Sequence, residues 1–259
     1  MTFSLRLTAD LGLALAARAL SKKSGSPPVL QLSSENNFDS AAISSAEGRT
    51  ERKDSSFRSV RRVSRFRSPI LWVGGVEPLD HPEAARFANA LAASGRHVFL
   101  GTSGASLKRR LHEFQPSSRF YFAVRFGGRQ PSPNHPTSRE GAFRVGLEAL
   151  RMARLAGFLT CAHLVLPSDA AAAEVEPLLA EIQKLDTDGF LITCEESTLE
   201  LEKLAVALRR RLHGRRWALL SHLLDTGVLP GKVSTALETG PQPLPPARPG
   251  RYGEGAEAG

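Results

Sequence analysis

The chain has 259 residues, of which 41% are hydrophobic, so it is long enough for one ordinary domain with a buried core. Its formal net charge is +8, and much of the excess lies in two basic clusters, Arg49–Arg67 and Leu208–Arg216. Two cysteines, Cys161 and Cys194, are too few for a disulfide framework or a cysteine-based zinc site. We therefore expect two buried thiols in a protein of the reducing cytoplasm.

The first twenty residues form an apolar segment that Asp10 and Arg18 interrupt. These charges argue against a cleaved signal peptide, and no part of the chain approaches the ~18 uninterrupted apolar residues of a membrane span. We predict that residues 1–26 form a short amphipathic helix and a polar linker. The helix either packs on the domain or rests on a membrane surface, and in the second case the cytoplasmic protein is peripheral to the membrane.

Six short apolar runs predict the strands of a sheet. They lie at Val29–Leu32, Ile70–Val73, His97–Thr102, Phe120–Phe126, Phe158–Leu166 and Gly189–Cys194. The runs are nearly continuous rather than alternating, which is typical of strands that are buried on both faces of a parallel sheet.

Helical periodicity fills most of the intervals between these runs. Phe87 and Leu91 share one face of a helix that begins near Ala84, and Asp80 with Glu83 forms a capping-box signature before it. Strands that alternate with helices are βα units. They predict an open doubly wound sheet or an incomplete barrel, with ligands at the carboxyl ends of the strands.

Composition sets the expected domain boundaries. After residues 1–26, the βα units occupy residues 27–213, and the polar, Ser-rich residues 33–56 within them are predicted to form a long loop. Residues 214–239 are predicted to be a helical extension. Residues 240–259 are rich in Pro and Gly, and this composition predicts disorder.

A glycine pair, Gly74-Gly75, ends the second predicted strand, and Glu77 follows two residues later. Glycine has no Cβ, so its backbone N–H and C=O groups can contact a ligand directly. Because ligands bind such sheets at the carboxyl ends of the strands, this turn is a candidate ligand site. A tight turn between strand and helix also favours glycine without any ligand.

Two further motifs follow the glycine turn: an L-x-H-P-E segment that opens a helix, and a strand that ends in Thr-x-Gly. The residues of the three motifs are Gly74, Gly75, Glu77 and Pro78, then Leu79, His81, Pro82 and Glu83, then Thr102, Ser103 and Gly104. This order of motifs resembles that of the radical SAM superfamily, and within it that of the enzymes of the hopanoid-biosynthesis type. The resemblance extends over roughly Leu5 to Leu201 and is strongest from Ile70 to Gly104.

The resemblance implies a fold and a cofactor. The implied fold is α/β, a partial (β/α)6 barrel of mainly parallel strands with helices outside. The implied cofactor is S-adenosylmethionine, whose amino group would meet the Gly-Gly-Glu segment. The implied cofactor-binding residues are Gly74, Gly75 and Glu77, with Thr102 and Ser103 lining the same rim.

The chain departs from the superfamily where its iron–sulfur chemistry would arise. The defining Cys-x3-Cys-x2-Cys loop holds a [4Fe–4S] cluster that reduces S-adenosylmethionine, but the corresponding window, Ser33–Gly48, contains no cysteine. Thiolates hold such clusters, and Ser or Asn side chains are poor substitutes. In addition, Val76 separates the glycines from Glu77, and Gly127 stands where related sequences often carry Asp.

The resemblance leaves two readings of the function. In the first, the chain is a degenerate radical-SAM-like domain that binds S-adenosylmethionine, a small-molecule substrate or a protein partner without a cluster. In the second, it is an active radical SAM enzyme whose cluster ligation is non-standard or is completed by another chain. The sequence defines no catalytic residue, no metal ligand and no oligomeric state.

In a third hypothesis, the chain is a basic, non-enzymatic interaction protein. Helical spacing places Arg58, Arg61, Arg62 and Arg65 on one face. Such a face could follow the phosphates of a nucleic acid or of an anionic membrane. A solvated outer helix explains the same charges, and no nucleic-acid-binding module accompanies them.

The remaining chemistry-bearing residues form no recognised motif. The seven histidines include no H-E-x-x-H pair, and neither a phosphate-binding loop nor a nucleophile elbow is present. His163, in an apolar run, is either a core residue or a side chain that points into a barrel mouth. Glu195-Glu196 follows a predicted strand, where it fits either acid–base chemistry or the N-terminus of the next helix.

Overall fold

The computed structural model describes residues 4–20, 27–33, Val63, 67–75, 77–127, 139–196, 198–211 and 215–227. Several predicted features lie outside the described residues: most of the 33–56 loop, the 240–259 tail, Val76, and the arginines Arg58, Arg61, Arg62 and Arg65. The described ranges contain all six predicted strands.

Six strands form one sheet in which every neighbouring pair is parallel. They are β1 (Val29–Ser33), β2 (Ile70–Gly74), β3 (His97–Thr102), β4 (Phe120–Gly127), β5 (Leu159–Leu166) and β6 (Gly189–Cys194). Their spatial order follows the chain, so the sheet does not reverse its order as a doubly wound sheet does. The prediction of a partial barrel is confirmed, because the strands form a curled half-barrel with helices around it.

Helix α1 precedes the first strand, and the other described helices follow β2 to β6 as βα units require. They are α1 (Leu5–Leu20), α2 (Ala84–Ala93), α3 (Leu107–Arg110), α4 (Arg139–Leu155), α5 (Ala172–Gln183), α6 (Leu199–Arg211) and α7 (Arg215–Gly227), with 3-10 turns at Pro78–Asp80 and Leu111–Glu113. Among the described residues, no helix combines the length and the apolar character needed to cross a membrane.

The outer face of the sheet packs against α2, α4, α5 and α6. Alternate strand residues such as Leu71, Val98, Phe122 and Ile192 belong to this outer core and are fully buried. Successive side chains of a strand point to opposite faces, so the remaining residues face the inside of the half-barrel. Burial on both faces explains why the apolar runs are continuous.

Aromatic side chains fill the concave face near the amino-terminal ends of the strands. The rings of Phe99 and Tyr121 stack with their centroids 4.4 Å apart, and Trp217 of α7 meets both rings edge-on. Gly189 of β6 faces this indole, and a Cβ at that position would overlap it. This end of the half-barrel is therefore a packed core.

Helix α1 lies at the amino-terminal ends of β3 and β4. Leu7 and Leu11 are buried in the concave core. Asp10 Oδ2 lies 3.0 Å from Nε2 of the buried His97 and accepts a hydrogen bond from Arg119 Nη1 at 3.2 Å. Apolar burial and these polar contacts together dock the helix on the domain.

Helix α7 contacts both edge strands of the sheet, β1 and β6. Gln31 Nε2 of β1 donates a hydrogen bond to the carbonyl oxygen of Leu224 at 2.7 Å. On β6, the backbone N–H of Ile192 donates to Ser221 Oγ at 3.0 Å. The predicted carboxyl-terminal extension therefore contributes a helix that contacts both β1 and β6.

The predicted capping box before α2 does not form. Glu83 is the N-cap residue of α2 and makes no capping hydrogen bond with its side chain. Asp80 Oδ1 instead accepts a hydrogen bond from Ser106 Oγ at 2.6 Å. The reason is an extra turn, Pro78–Asp80, which is capped by Glu77 and which separates Asp80 from the start of the helix.

Candidate ligand-binding rim

The five residues that the sequence predicts to contact S-adenosylmethionine lie together at the carboxyl edge of the sheet. We call Gly74, Gly75, Glu77, Thr102 and Ser103 the rim. The turn after β2 carries the first three residues, and the end of β3 carries the other two. Hydrogen bonds between Glu77 and the end of β3 hold the two segments together. Ligand binding by these residues stays a prediction.

The carboxylate of Glu77 is buried and accepts four hydrogen bonds. Its Oε1 accepts from Thr102 Oγ1 at 2.7 Å and from the backbone N–H of Leu79 at 3.2 Å. Its Oε2 accepts from the backbone N–H and from the hydroxyl of Ser103, at 2.8 and 2.5 Å. A carboxylate has about four lone-pair positions. These four donors use that capacity, so the side chain fastens the turn to β3.

The carbonyl oxygen of Gly75 accepts a hydrogen bond from Arg125 Nη2 at 3.2 Å. Gly75 has a φ of 116°, a conformation that a side chain would strain. Arg125 comes from β4, and its burial lowers the pKa of the guanidinium while the charge of Glu77 partly offsets this shift. A half-buried positive charge therefore lies beside a backbone acceptor of the rim.

The indole of Trp72 lies over the concave face between β2 and β5. A Cβ at Gly74 would come within 2.7 Å of Trp72 Nε1, and a Cβ at Gly101 within 3.2 Å of Trp72 Cζ2. Across the half-barrel, the ring meets His163 edge-on with the centroids 4.9 Å apart. Gly74 thus makes room for Trp72, which is a different reason for glycine than direct approach of a ligand.

His163 lies on the concave face, so the interpretation as a barrel-facing side chain and the interpretation as a core residue both describe it. Its Nε2 is 2.7 Å from Thr193 Oγ1, and its Nδ1 is buried with no hydrogen-bond partner among the described residues. Burial, with a smaller contribution from the charge of Arg125, lowers the pKa of His163 from 6.5 to about 3. The imidazole is therefore neutral at pH 7.

The free energy of unfolding should decrease as the pH falls from 6.5 toward 3, because His163 does not take up a proton in the folded chain. In this window the unfolded chain binds the proton, so the stability contributed at higher pH is lost at about 1.4 kcal/mol per pH unit. We expect His163→Gln to remove this one-proton slope. Urea unfolding at several pH values between about 4 and 7 measures it.

The matched control is His112→Gln, which changes an exposed histidine of a 3-10 turn. This variant should keep the wild-type slope. A wild-type slope in His163→Gln as well would show that other groups cause the acid sensitivity.

Neither Arg125 nor Trp72 is among the site residues that the sequence predicts. Arg125 does carry a detectable signal, since it is the single charged residue within the strand FYFAVRFG. Trp72 lies in an apolar run in which an aromatic residue is unremarkable. Its part in the site depends on Gly101 and His163, which are distant in sequence, so local pattern gives no indication of it.

The described residues do not fit an iron–sulfur cluster. Cys161 pairs with Gly189, and Cys194 pairs with Leu166, so the two cysteines are five residues apart along neighbouring strands, roughly 16 Å. They also face opposite sides, since Cys161 belongs to the concave core and Cys194 packs against the outer core. No group of three or more candidate metal ligands occurs in the described part of the chain.

Both thiols are also held in the protonated form. Burial raises the pKa of Cys161 well above its usual value, and burial raises the pKa of Cys194 to about 11. The prediction of two buried thiols is right for Cys161, but Cys194 is only half-buried. Neutral thiols are weak metal ligands, because the thiolate is the ligating form.

The acidic pair Glu195-Glu196 follows β6, whereas the rim lies after β2 and β3. The backbone N–H of Glu195 donates to the carbonyl oxygen of Leu166 at 2.8 Å, and the side chain of Glu196 is exposed. Helix α6 begins soon afterwards at Leu199. This position agrees with the interpretation that the two glutamates precede a helix N-terminus, which favours acidic residues.

The fold and the rim define a partial α/β barrel with a polar network at the carboxyl ends of β2 and β3. Among solved structures, the chain is similar to SuiB of Streptococcus suis bound to S-adenosylmethionine, with a TM-score of 0.50 and 12% identity over 77% of this chain and 49% of that one. It is also similar to TYW1 with a lysine-pyruvate adduct bound (TM-score 0.39, 12% identity, 63% and 54% covered) and to archaeal TYW1 (0.36, 14%, 55% and 50%).

At 12% identity the similarity to SuiB concerns the fold alone, and it agrees with the partial barrel that the resemblance implies. The chain spans about half the length of each of these structures. No protein-family model matches the chain, and no curated protein matches it.

Proposed function

We propose that the chain is a degenerate radical-SAM-like domain that binds S-adenosylmethionine at the rim and carries no iron–sulfur cluster. The observation that supports this proposal best is the buried Glu77 carboxylate, which holds the Gly-Gly turn at the carboxyl edge of the half-barrel. The structure of SuiB, which shares this fold, contains S-adenosylmethionine and supports the choice of ligand.

The charges at the rim fit the amino-acid end of the ligand. A carbonyl oxygen has two lone pairs, so Gly75 can accept from the ligand ammonium as well as from Arg125. The guanidinium of Arg125 fits the ligand carboxylate. Glu77 positions the turn and need not contact the ligand, because protein donors already surround its carboxylate.

We propose no radical chemistry for this chain. A [4Fe–4S] cluster would supply the electron that cleaves S-adenosylmethionine, but Cys161 and Cys194 lie on opposite faces of the sheet as neutral thiols. The alternative is an enzyme whose cluster ligation is non-standard or is completed by another chain.

Two measurements on the full chain test this function. Calorimetric titration with S-adenosylmethionine should give saturable heat at one site, and anaerobic reconstitution with iron and sulfide should leave no cluster bound. Absence of heat would disprove the binding. Retention of about four irons per chain, with thiolate-to-iron charge-transfer absorbance, would favour the enzyme instead. The Cys161→Ala/Cys194→Ala variant is the control, since iron that it retains equally is not held by these thiols.

A further inference from the structure

Helix α1 is apolar on two opposite faces. Leu7 and Leu11 on one face are buried in the half-barrel. On the other face, Leu5, Leu13 and Leu20 are 82%, 70% and 86% exposed. At about 100° per residue, these three leucines fall within an arc of about 80°. The other residues within about 20° of this arc are apolar except Arg6, and we call Leu5, Ala9, Gly12, Leu13, Ala16 and Leu20 the leucine face.

Single exposed leucines are common on protein surfaces, but three on one stripe of a helix form a patch that indicates an interaction site. The stripe runs the length of a 16-residue helix, which is about 24 Å. The docking of α1 through Leu7, Leu11 and Asp10 holds the leucine face outward. The exposure therefore follows from the way the helix packs.

Basic residues lie beside the leucine face and at the edge of the sheet where α1 docks. Arg6 of α1 is exposed next to the leucine face, and Arg67 is exposed three residues before the start of β2. Arg96 and Arg119 precede β3 and β4, so they lie at the edge of the sheet where α1 docks. Asp10 is the acidic residue of α1 and already pairs with Arg119.

We propose that the leucine face docks the chain on an anionic membrane surface, with α1 lying in the plane of the interface. Amphipathic helices bind this way when an apolar face inserts among acyl chains and flanking basic residues meet lipid phosphates. Charge selects this occupant over a second copy of the chain, because a symmetric dimer would bring the arginines of two copies together. Arg67, the last residue of the basic cluster Arg49–Arg67, precedes β2 at this same edge.

Co-sedimentation of the full chain with lipid vesicles tests the proposal. The chain should bind phosphatidylcholine vesicles that contain about 30% phosphatidylserine. Its affinity for pure phosphatidylcholine should be about tenfold lower, because the attraction of the arginines to anionic lipid adds to the binding free energy of the apolar face. Leu13→Glu should weaken binding to the anionic vesicles by about tenfold or more, since it places a charge on the apolar face. The difference between the two lipid compositions should narrow as salt rises.

The matched control is Leu199→Glu, which makes the same change at a leucine that is 67% exposed at the start of α6, beyond the carboxyl end of β6. It should bind as the wild type does. Both leucines are exposed, so thermal unfolding should be alike in the two variants and the wild type; Leu13→Ser provides a milder change at the same position.

Three results would overturn the proposal. The first is equal vesicle binding by Leu13→Glu and the wild type. The second is a dimer, seen by light scattering without lipid, that Leu13→Glu dissociates, since a second copy would then cover the leucine face. The third is binding to RNA and not to vesicles. None of these results depends on S-adenosylmethionine, so they do not test the rim.

Discussion

Replacing Glu77 with glutamine should lower the free energy of unfolding by about 2–4 kcal/mol and abolish the heat of S-adenosylmethionine binding. Four donors converge on this buried carboxylate, and an amide would turn an NH2 group toward N–H and O–H donors of Thr102 or Ser103. Hydrogen bonds to a charged group contribute about 1.5–3 kcal/mol, and a buried donor left unsatisfied costs about as much again. Urea unfolding and calorimetric titration measure the two effects.

The control for Glu77→Gln is Glu83→Gln, which makes the same change six residues away. The carboxylate of Glu83 is partly exposed and accepts from Arg86 at 3.4 Å. Its loss should change the stability by less than about 0.5 kcal/mol. If Glu77→Gln folds stably and still binds S-adenosylmethionine with wild-type affinity, Glu77 does not position the ligand. If both the wild type and Glu77→Gln fail to bind, the proposed ligand is wrong while the structural part of the prediction stands.

Replacing Trp217 with alanine should destabilise the chain by about 3–5 kcal/mol, the range typical of a large aromatic residue removed from a core. The indole is 1% exposed and contacts Phe99 and Tyr121 edge-on. The cavity would open between α7 and the sheet. Urea unfolding measures the loss, and unchanged stability would mean that α7 does not dock as described.

Gly189→Ala tests the same contact from the other side. A Cβ on Gly189 overlaps the indole, so the single variant should cost about 1–3 kcal/mol by overpacking. In the Trp217→Ala background the added methyl group should cost much less, because the overlapping ring is absent. Gly12→Ala is the control, since a Cβ there meets no atom within 4 Å. Additive effects of Gly189→Ala and Trp217→Ala would contradict the contact.

The strands could be predicted because the local composition indicates their burial on both faces. Strands buried on both faces need continuous apolar runs, and His97–Thr102 and Gly189–Cys194 were predicted with the bounds that the structure has. The choice between a barrel and a doubly wound sheet needed more, since both use the same βα units. The resemblance to a known superfamily supplied that choice, and the spatial order of the strands, which follows the chain without reversal, confirms it.

The rim was predictable only as a set of positions. Glu77 and Thr102 come from different βα units, and their meeting follows from the adjacency of β2 and β3. The hydrogen bonds that surround Glu77 and the approach of Arg125 to Gly75 depend on side-chain geometry across strands, which no local pattern encodes. The capping box failed for a related reason, because Asp80 has a partner, Ser106, that lies 26 residues away.

The position of α7 explains how the half-barrel avoids aggregation through the edge of its sheet. A sheet that does not close on itself has two edges, and backbone groups on such an edge can recruit a strand from another chain. On β6, Ile192 and Cys194 direct their N–H groups at Ser221 and Asp225, so side chains of a helix take the place of a neighbouring strand. Detachment of this helix would thus expose a template for aggregation.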